Sequence, residues 1–130
     1  MFAEDSKQVF EALMTALNHT KQRAIVLSGW SNFVNESHAS HNHVHVVGDV
    51  PHSWLFKRCA AVVYHGGAGS VAAGLRAGKP SIIVPHIVDQ AFWGTVIELI
   101  GVGPAAIPIG ELTSEKLVTA FEVRYAVLSQ

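Results

Sequence analysis

Apolar residues recur along this chain at two spacings. Over residues 6–19, Val9, Phe10, Leu13, Met14 and Leu17 return every three or four positions, which predicts a helix with Asp5 or Ser6 placed to cap it. Four unbroken apolar runs read instead as short buried strands: 24–29 (AIVLSG), 43–48 (HVHVVG), 60–65 (AAVVYH) and 81–85 (SIIVP). Between them, residues 30–42 are polar and predict a loop, 53–60 a short helix, and 68–77 a helix of small residues. Residues 90–100 form a helix with Phe92, Trp93, Val96, Ile97 and Ile100 on one side, 105–109 a short fifth strand, and Thr113 the cap of a last helix. Strands that alternate with helices, each strand apolar throughout, predict an α/β fold: a Rossmann-like parallel sheet with helices on both faces. No repeat or linker interrupts the pattern, so residues 1–130 read as one domain.

Composition narrows the function classes. The chain is 49% hydrophobic and 15% charged, which suits a packed core, and its net charge of −1 gives no electrostatic footprint for nucleic acid. The lone cysteine, Cys59, rules out an internal disulfide and fits a reducing, cytoplasmic setting. The first residues, MFAEDSKQVF, lack the basic and apolar regions of a signal peptide, and no run is apolar enough to span a bilayer.

The chemistry concentrates where strands end, since ligands of open α/β sheets bind beyond the carboxyl ends of the strands. Four groups sit there: 28–30, 48–54, 65–70 and 85–90. In HGGAGS, His65 to Ser70, glycines at 66, 67 and 69 allow close backbone approach, and the following helix offers free N–H groups and a partial positive charge. A tight turn alone would need the glycines but neither His65 nor Ser70, so the pattern points to a phosphate or diphosphate. Two classes remain at this point. Residues 67–72, GAGSVA, match the dinucleotide fingerprint with Asp89 downstream, which would suit an NAD(P)-type oxidoreductase domain; the other class binds a nucleotide sugar. No Gly-Lys-Ser/Thr follows, which excludes a Walker loop.

The linked motifs SGW, PHSWLF, HGGAGS, LRAGKP, DQAFWG and GVGPAAIP resemble, in order and spacing, the donor-binding half of GT-B glycosyltransferases, the sterol 3-β-glucosyltransferases and their antibiotic-modifying bacterial relatives above all. The resemblance implies an inverting enzyme that takes glucose from UDP-glucose to a sterol or other lipid hydroxyl. It implies UDP contacts for Ser28, Val50, His52, His65, Ala68, Gly69 and Ser70, and sugar contacts for Asp89 and Gln90. The Asp-Gln pair offers acceptors and donors suited to a polyol, and the aspartate would also cap a helix. No cofactor and no metal is implied. The family's acceptor domain, which carries the general base, and a strand ahead of the first helix have no counterpart in MFAED. The expectation is therefore half of a two-domain or two-chain enzyme, inactive alone, with a partner chain or a second copy. Membrane contact would come through the missing region. A chain with no catalytic role that binds a nucleotide is the remaining alternative.

Three departures accompany the resemblance. Tyr64 and Ser70 stand where the family has histidine and threonine, and His86-Ile87-Val88 stands where it has an aromatic pair and glycine. Serine keeps the hydroxyl, whereas the change at 86–88 would alter sugar fit. Elsewhere, His41, His43 and His45 alternate as a metal-binding strand could, but no carboxylate or cysteine joins them, and they read as loop and strand.

Overall fold

The computed structural model describes residues 3–27 and 44–128. Helix α1 (Ala3–Thr20) leads into β1 (Ala24–Leu27); β2 (Val44–Val47) is followed by α2 (His52–Leu55) and a 3-10 turn, Phe56–Arg58. Then come β3 (Val62–Tyr64), α3 (Ala68–Ala77), β4 (Ser81–Ile83), α4 (Val88–Leu99), a second 3-10 turn at Ile109–Glu111, and α5 (Ser114–Leu128). Among the described residues the expected order of elements holds, apart from the fifth strand. Helix α1 starts earlier than its periodicity indicates, so Asp5 and Ser6 lie inside it rather than ahead of it. The helix expected over 53–60 divides into one α-helical turn and the 3-10 turn. The loop expected over 30–42 lies outside the described residues.

Helices cover both faces of the strands. Neighbouring residues of a strand point to opposite faces, and in β4 both Ile82 and Ile83 are fully buried. Ile82 joins Phe10, Met14 and Leu17 of α1 and Leu117, Ala120 and Phe121 of α5 in one core. Ile83 joins Phe56, Val62, Tyr64, Val71 of α3 and Ile97 of α4 in a second. The structure is thus α/β and Rossmann-like.

Two expectations need correction. The strands do not form one continuous sheet: among the described residues they pair as β1 with β2 and β3 with β4, both parallel. The registers run from Ala24 opposite Val44 to Leu27 opposite Val47, and from Val62 opposite Ser81 to Tyr64 opposite Ile83. The fifth strand expected over 105–109 is not a regular strand. Its backbone does follow the outer edge of β4, with Ser81 N–H donating to Val102 O at 3.0 Å and Ile107 N–H to Ile83 O at 3.0 Å. Pro104 and Pro108 lack the N–H groups a ladder on the other side would need, so the segment stays an irregular edge.

One buried polar contact fixes β3 on β4. The Tyr64 hydroxyl donates to Ser81 Oγ at 2.9 Å, and Ser81 is fully buried. Burial pushes the Tyr64 phenol up, so it keeps its proton and remains a donor. Helix α3 closes over this pair at Gly74, where an added Cβ would lie 3.0 Å from Ser81 Oγ. Tyr64→Phe leaves the serine hydroxyl without its donor and is expected to lower unfolding free energy by about 1–3 kcal/mol. Adding Ser81→Ala should recover most of that loss, as read by denaturant unfolding of the two variants.

Candidate nucleotide-sugar site

Two strand-to-helix turns build the site. From β3 the chain passes through His65, Gly66 and Gly67 into α3; from β4 it passes through Val84, Pro85, His86 and Ile87 into α4. They touch at Gly66. That residue has φ of +96°, and an added Cβ would lie 2.7 Å from Ile83 Cγ2 and 3.0 Å from the Gln90 carbonyl oxygen. Only glycine suits both the conformation and the space. The contact sets the N-terminal ends of α3 and α4 side by side, so the partial positive charges of two helices face one region.

Around it the polar side chains gather. The His65 and His86 rings lie 6.5 Å apart between centroids at 73°. An added Cβ at Gly67 would come within 2.9 Å of His65 Nε2, so the missing side chain is what seats the imidazole against the turn. His52 opens α2 and stacks on Phe56, with centroids 4.6 Å apart. His52, His65, Ser70 and His86 line the end of one cavity of about 840 Å³. Ala68 and Gly69 are exposed in the first turn of α3 and Ser70 is half-buried. No side chain caps that helix among the described residues, which leaves its first N–H groups for water or a ligand. Val50 is half-buried and packs against the second core. Ser28 lies outside the described residues.

At α4 the side-chain oxygen of Gln90 accepts from the backbone N–H of His86 at 2.7 Å and of Ile87 at 3.3 Å. The cap expected of the aspartate is thus made by the Gln90 side-chain oxygen, while Asp89 is exposed in the first turn. Asp89 sits on a helix rather than at a strand end, so the acid that a dinucleotide ribose would require is not where the fingerprint needs it. Among the described residues no group of histidine, cysteine and carboxylate side chains is arranged to hold a metal; His41 and His43 lie outside them.

The residue that sequence reading undervalued is His86. Its position was a departure in the motif, yet it packs against His65. The signal was present: each of the two strands leading into the site is followed by a histidine ahead of its helix. Burial, and then the neighbouring His52, lowers the His65 pKa; burial, and then His65, lowers that of His86. Both are therefore neutral at pH 7, each with one ring donor and one acceptor.

Comparison with known proteins accords with this geometry. A family model described as erythromycin biosynthesis protein CIII-like, C-terminal domain, matches residues 11–125. The sterol 3-beta-glucosyltransferase UGT80B1 of Arabidopsis thaliana is 47% identical over 114 residues, covering 88% of this chain but 18% of that protein. Among solved structures, the glycotransferase of kitacinnamycin superposes with a TM-score of 0.76 at 22% identity, over 92% of this chain and 32% of that one. A UDP-glucose:anthocyanidin 3-O-glucosyltransferase in complex with UDP gives 0.71 at 21% identity, over 95% and 31%. The fold is that of glycosyltransferases.

The histidine shifts predict a pH dependence. A folded-state pKa below the ordinary value of 6.5 means that the unfolded chain binds more protons as pH falls. Stability should be undiminished above that value and decline as pH drops through it toward the lower folded-state values. Melting temperature measured from pH 7.5 to 5 should show this fall, and the double variant His65→Asn/His86→Asn should flatten it.

Proposed function

The chain belongs to the erythromycin biosynthesis protein CIII-like C-terminal domain family, and from that membership we propose that it is the donor-binding half of an inverting glycosyltransferase, using UDP-glucose and directed at a sterol or other lipid hydroxyl. The observation that carries the reading is the 47% identity to a plant sterol 3-beta-glucosyltransferase across most of this chain. The chain spans under a fifth of that relative, 18%, so the acceptor half belongs to polypeptide beyond these residues.

In the reaction an acceptor hydroxyl attacks the anomeric carbon of the sugar, the bond to the diphosphate breaks, and UDP leaves. The negative charge that grows on the diphosphate meets donors already in place. These are the backbone N–H groups of Ala68, Gly69 and Ser70, the Ser70 hydroxyl, and a ring N–H of neutral His65. Fixed donors of this kind cost no reorganisation as the charge develops. Val50, His52 and Ser28 take the uridine side. Asp89 accepts from sugar hydroxyls and the Gln90 amide donates to them, its oxygen already occupied by the helix start. The general base and the aligned acceptor come from the other half, and the donor site needs no cofactor or metal.

UDP should bind far more tightly than uridine in calorimetric titration, because the turn at 65–70 recognises diphosphate. His65→Ala should weaken UDP by about 1.5–3 kcal/mol, the range for a hydrogen bond to a charged group. Asp89→Ala should weaken UDP-glucose and leave UDP nearly unchanged. Equal binding of UDP and uridine, or an equal loss of both ligands in Asp89→Ala, would remove the assignment.

A further inference from the structure

Two turns from different strands meet on one residue, Gln90. Its side-chain oxygen accepts from the backbone N–H of His86 at 2.7 Å and of Ile87 at 3.3 Å, so it holds the turn that leaves β4. Its carbonyl oxygen and Cβ lie 3.0 and 3.5 Å from the place a Cβ would take on Gly66, so the same residue backs the turn that leaves β3. Ile87 is the N-cap of α4 and has no side-chain oxygen to offer. The helix start is therefore held from its third position, as the glutamine half of a capping box holds it.

The packing carries this link across the site. Gly66 is confined between Gln90 and Ile83, whose Cγ2 lies 2.7 Å from where a Cβ would be. Ile83 is fully buried and cannot retreat. A shift of the α4 start thus passes to Gly66, and from there to His65 on one side and Gly67 on the other. Gly67 O accepts the first hydrogen bond of α3, from Val71 N–H at 2.9 Å. Beyond the Gln90 side chain the route crosses only backbone and a buried isoleucine. A residue that only donated its amide to sugar hydroxyls would matter to UDP-glucose and not to UDP. A residue that aligns both turns matters to both ligands. Asp89 supplies the contrast: it is exposed in the same helical turn, and none of these contacts runs through it.

We propose that Gln90 is a positioning residue for the diphosphate. By tying the start of α4 to the turn at Gly66, it keeps the His65 ring and the first N–H groups of α3 in register for the anionic group, whether or not a sugar is attached. Donors that meet a charged group must be held to within about 0.5 Å, which a fraying helix turn does not do. The part played toward a diphosphate rests on the function proposed above; the link between the turns does not.

Amide hydrogen exchange of the 130-residue chain, followed residue by residue, tests the link without ligand. In the wild type the His86 and Ile87 amides should be protected. Gln90→Ala should speed exchange there by about tenfold, and also at Val71, which belongs to the other helix; a cap with only local effect would leave Val71 unchanged. Gln90→Glu keeps an accepting oxygen and should restore protection at all three. In calorimetric titration, Gln90→Ala should weaken UDP and UDP-glucose by the same factor, about tenfold. If Gln90→Ala does not fold, Gln90→Met, which keeps the bulk and lacks the oxygen, takes its place. Unprotected wild-type amides at 86 and 87, Val71 exchange unmoved in the folded variant, no restoration by Gln90→Glu, or a loss confined to UDP-glucose overturns the proposal. A wild-type chain that binds neither UDP nor UDP-glucose sinks the donor-site reading instead, and the exchange rates then decide the link by themselves.

Discussion

The arrangement depends on how firmly β3 is held against β4. Three parallel residue pairs are a short ladder, and parallel ladders are weaker per residue than antiparallel ones. The buried Tyr64–Ser81 hydrogen bond makes up the difference at the centre of the second core. It also fixes where β3 ends. His65 follows one residue later, and the turn at Gly66 and Gly67 is then set against the start of α4. Helix α3 can close on the pair only because position 74 has no side chain. Displacing β3 along β4 by one residue would turn Tyr64 out of the core and carry His65 to the wrong side of the turn.

Much of this was legible in the chain. The alternation of apolar strands with helices, the small-residue helix over 68–77 and the Thr113 cap follow from local chemistry; Lys116 N–H does donate to Thr113 Oγ1, at 3.2 Å. The glycine turn could be located because glycine, histidine and serine together are costly to explain by packing alone. What could not be read was anything depending on which strand lies beside which. A strand's apolar run reports burial on both faces and is silent on whether both edges are paired. Tyr64 shows the same limit. The motif marks it only as a substitution, and its structural role comes from Ser81, seventeen positions away. His86 was visible as a residue type, but its neighbour His65 comes from a different strand.

The source of positive potential in the site has its own logic. Neither His65 nor His86 carries a charge at neutral pH, since burial holds both in the neutral form. Under the proposed donor-binding role, the attraction for an anion would therefore come from backbone dipoles at two helix ends, fixed by the packing of Gly66 on Gln90. Such a site is selective by geometry: it suits a compact group with several acceptor oxygens more than diffuse negative charge.

The division into two cores also bears on dynamics. The core beneath the site is assembled from a nearly contiguous stretch, Leu55 to Ile97. The other closes a long loop, bringing Phe10 of α1 against Phe121 of α5. Cooperative opening units tend to follow such boundaries. Fraying of the terminal helix layer would expose one face of the strands while the turns at 65–70 and 86–90 kept their support. The turns at 65–70 and 86–90 are thereby insulated from excursions of the terminal helices.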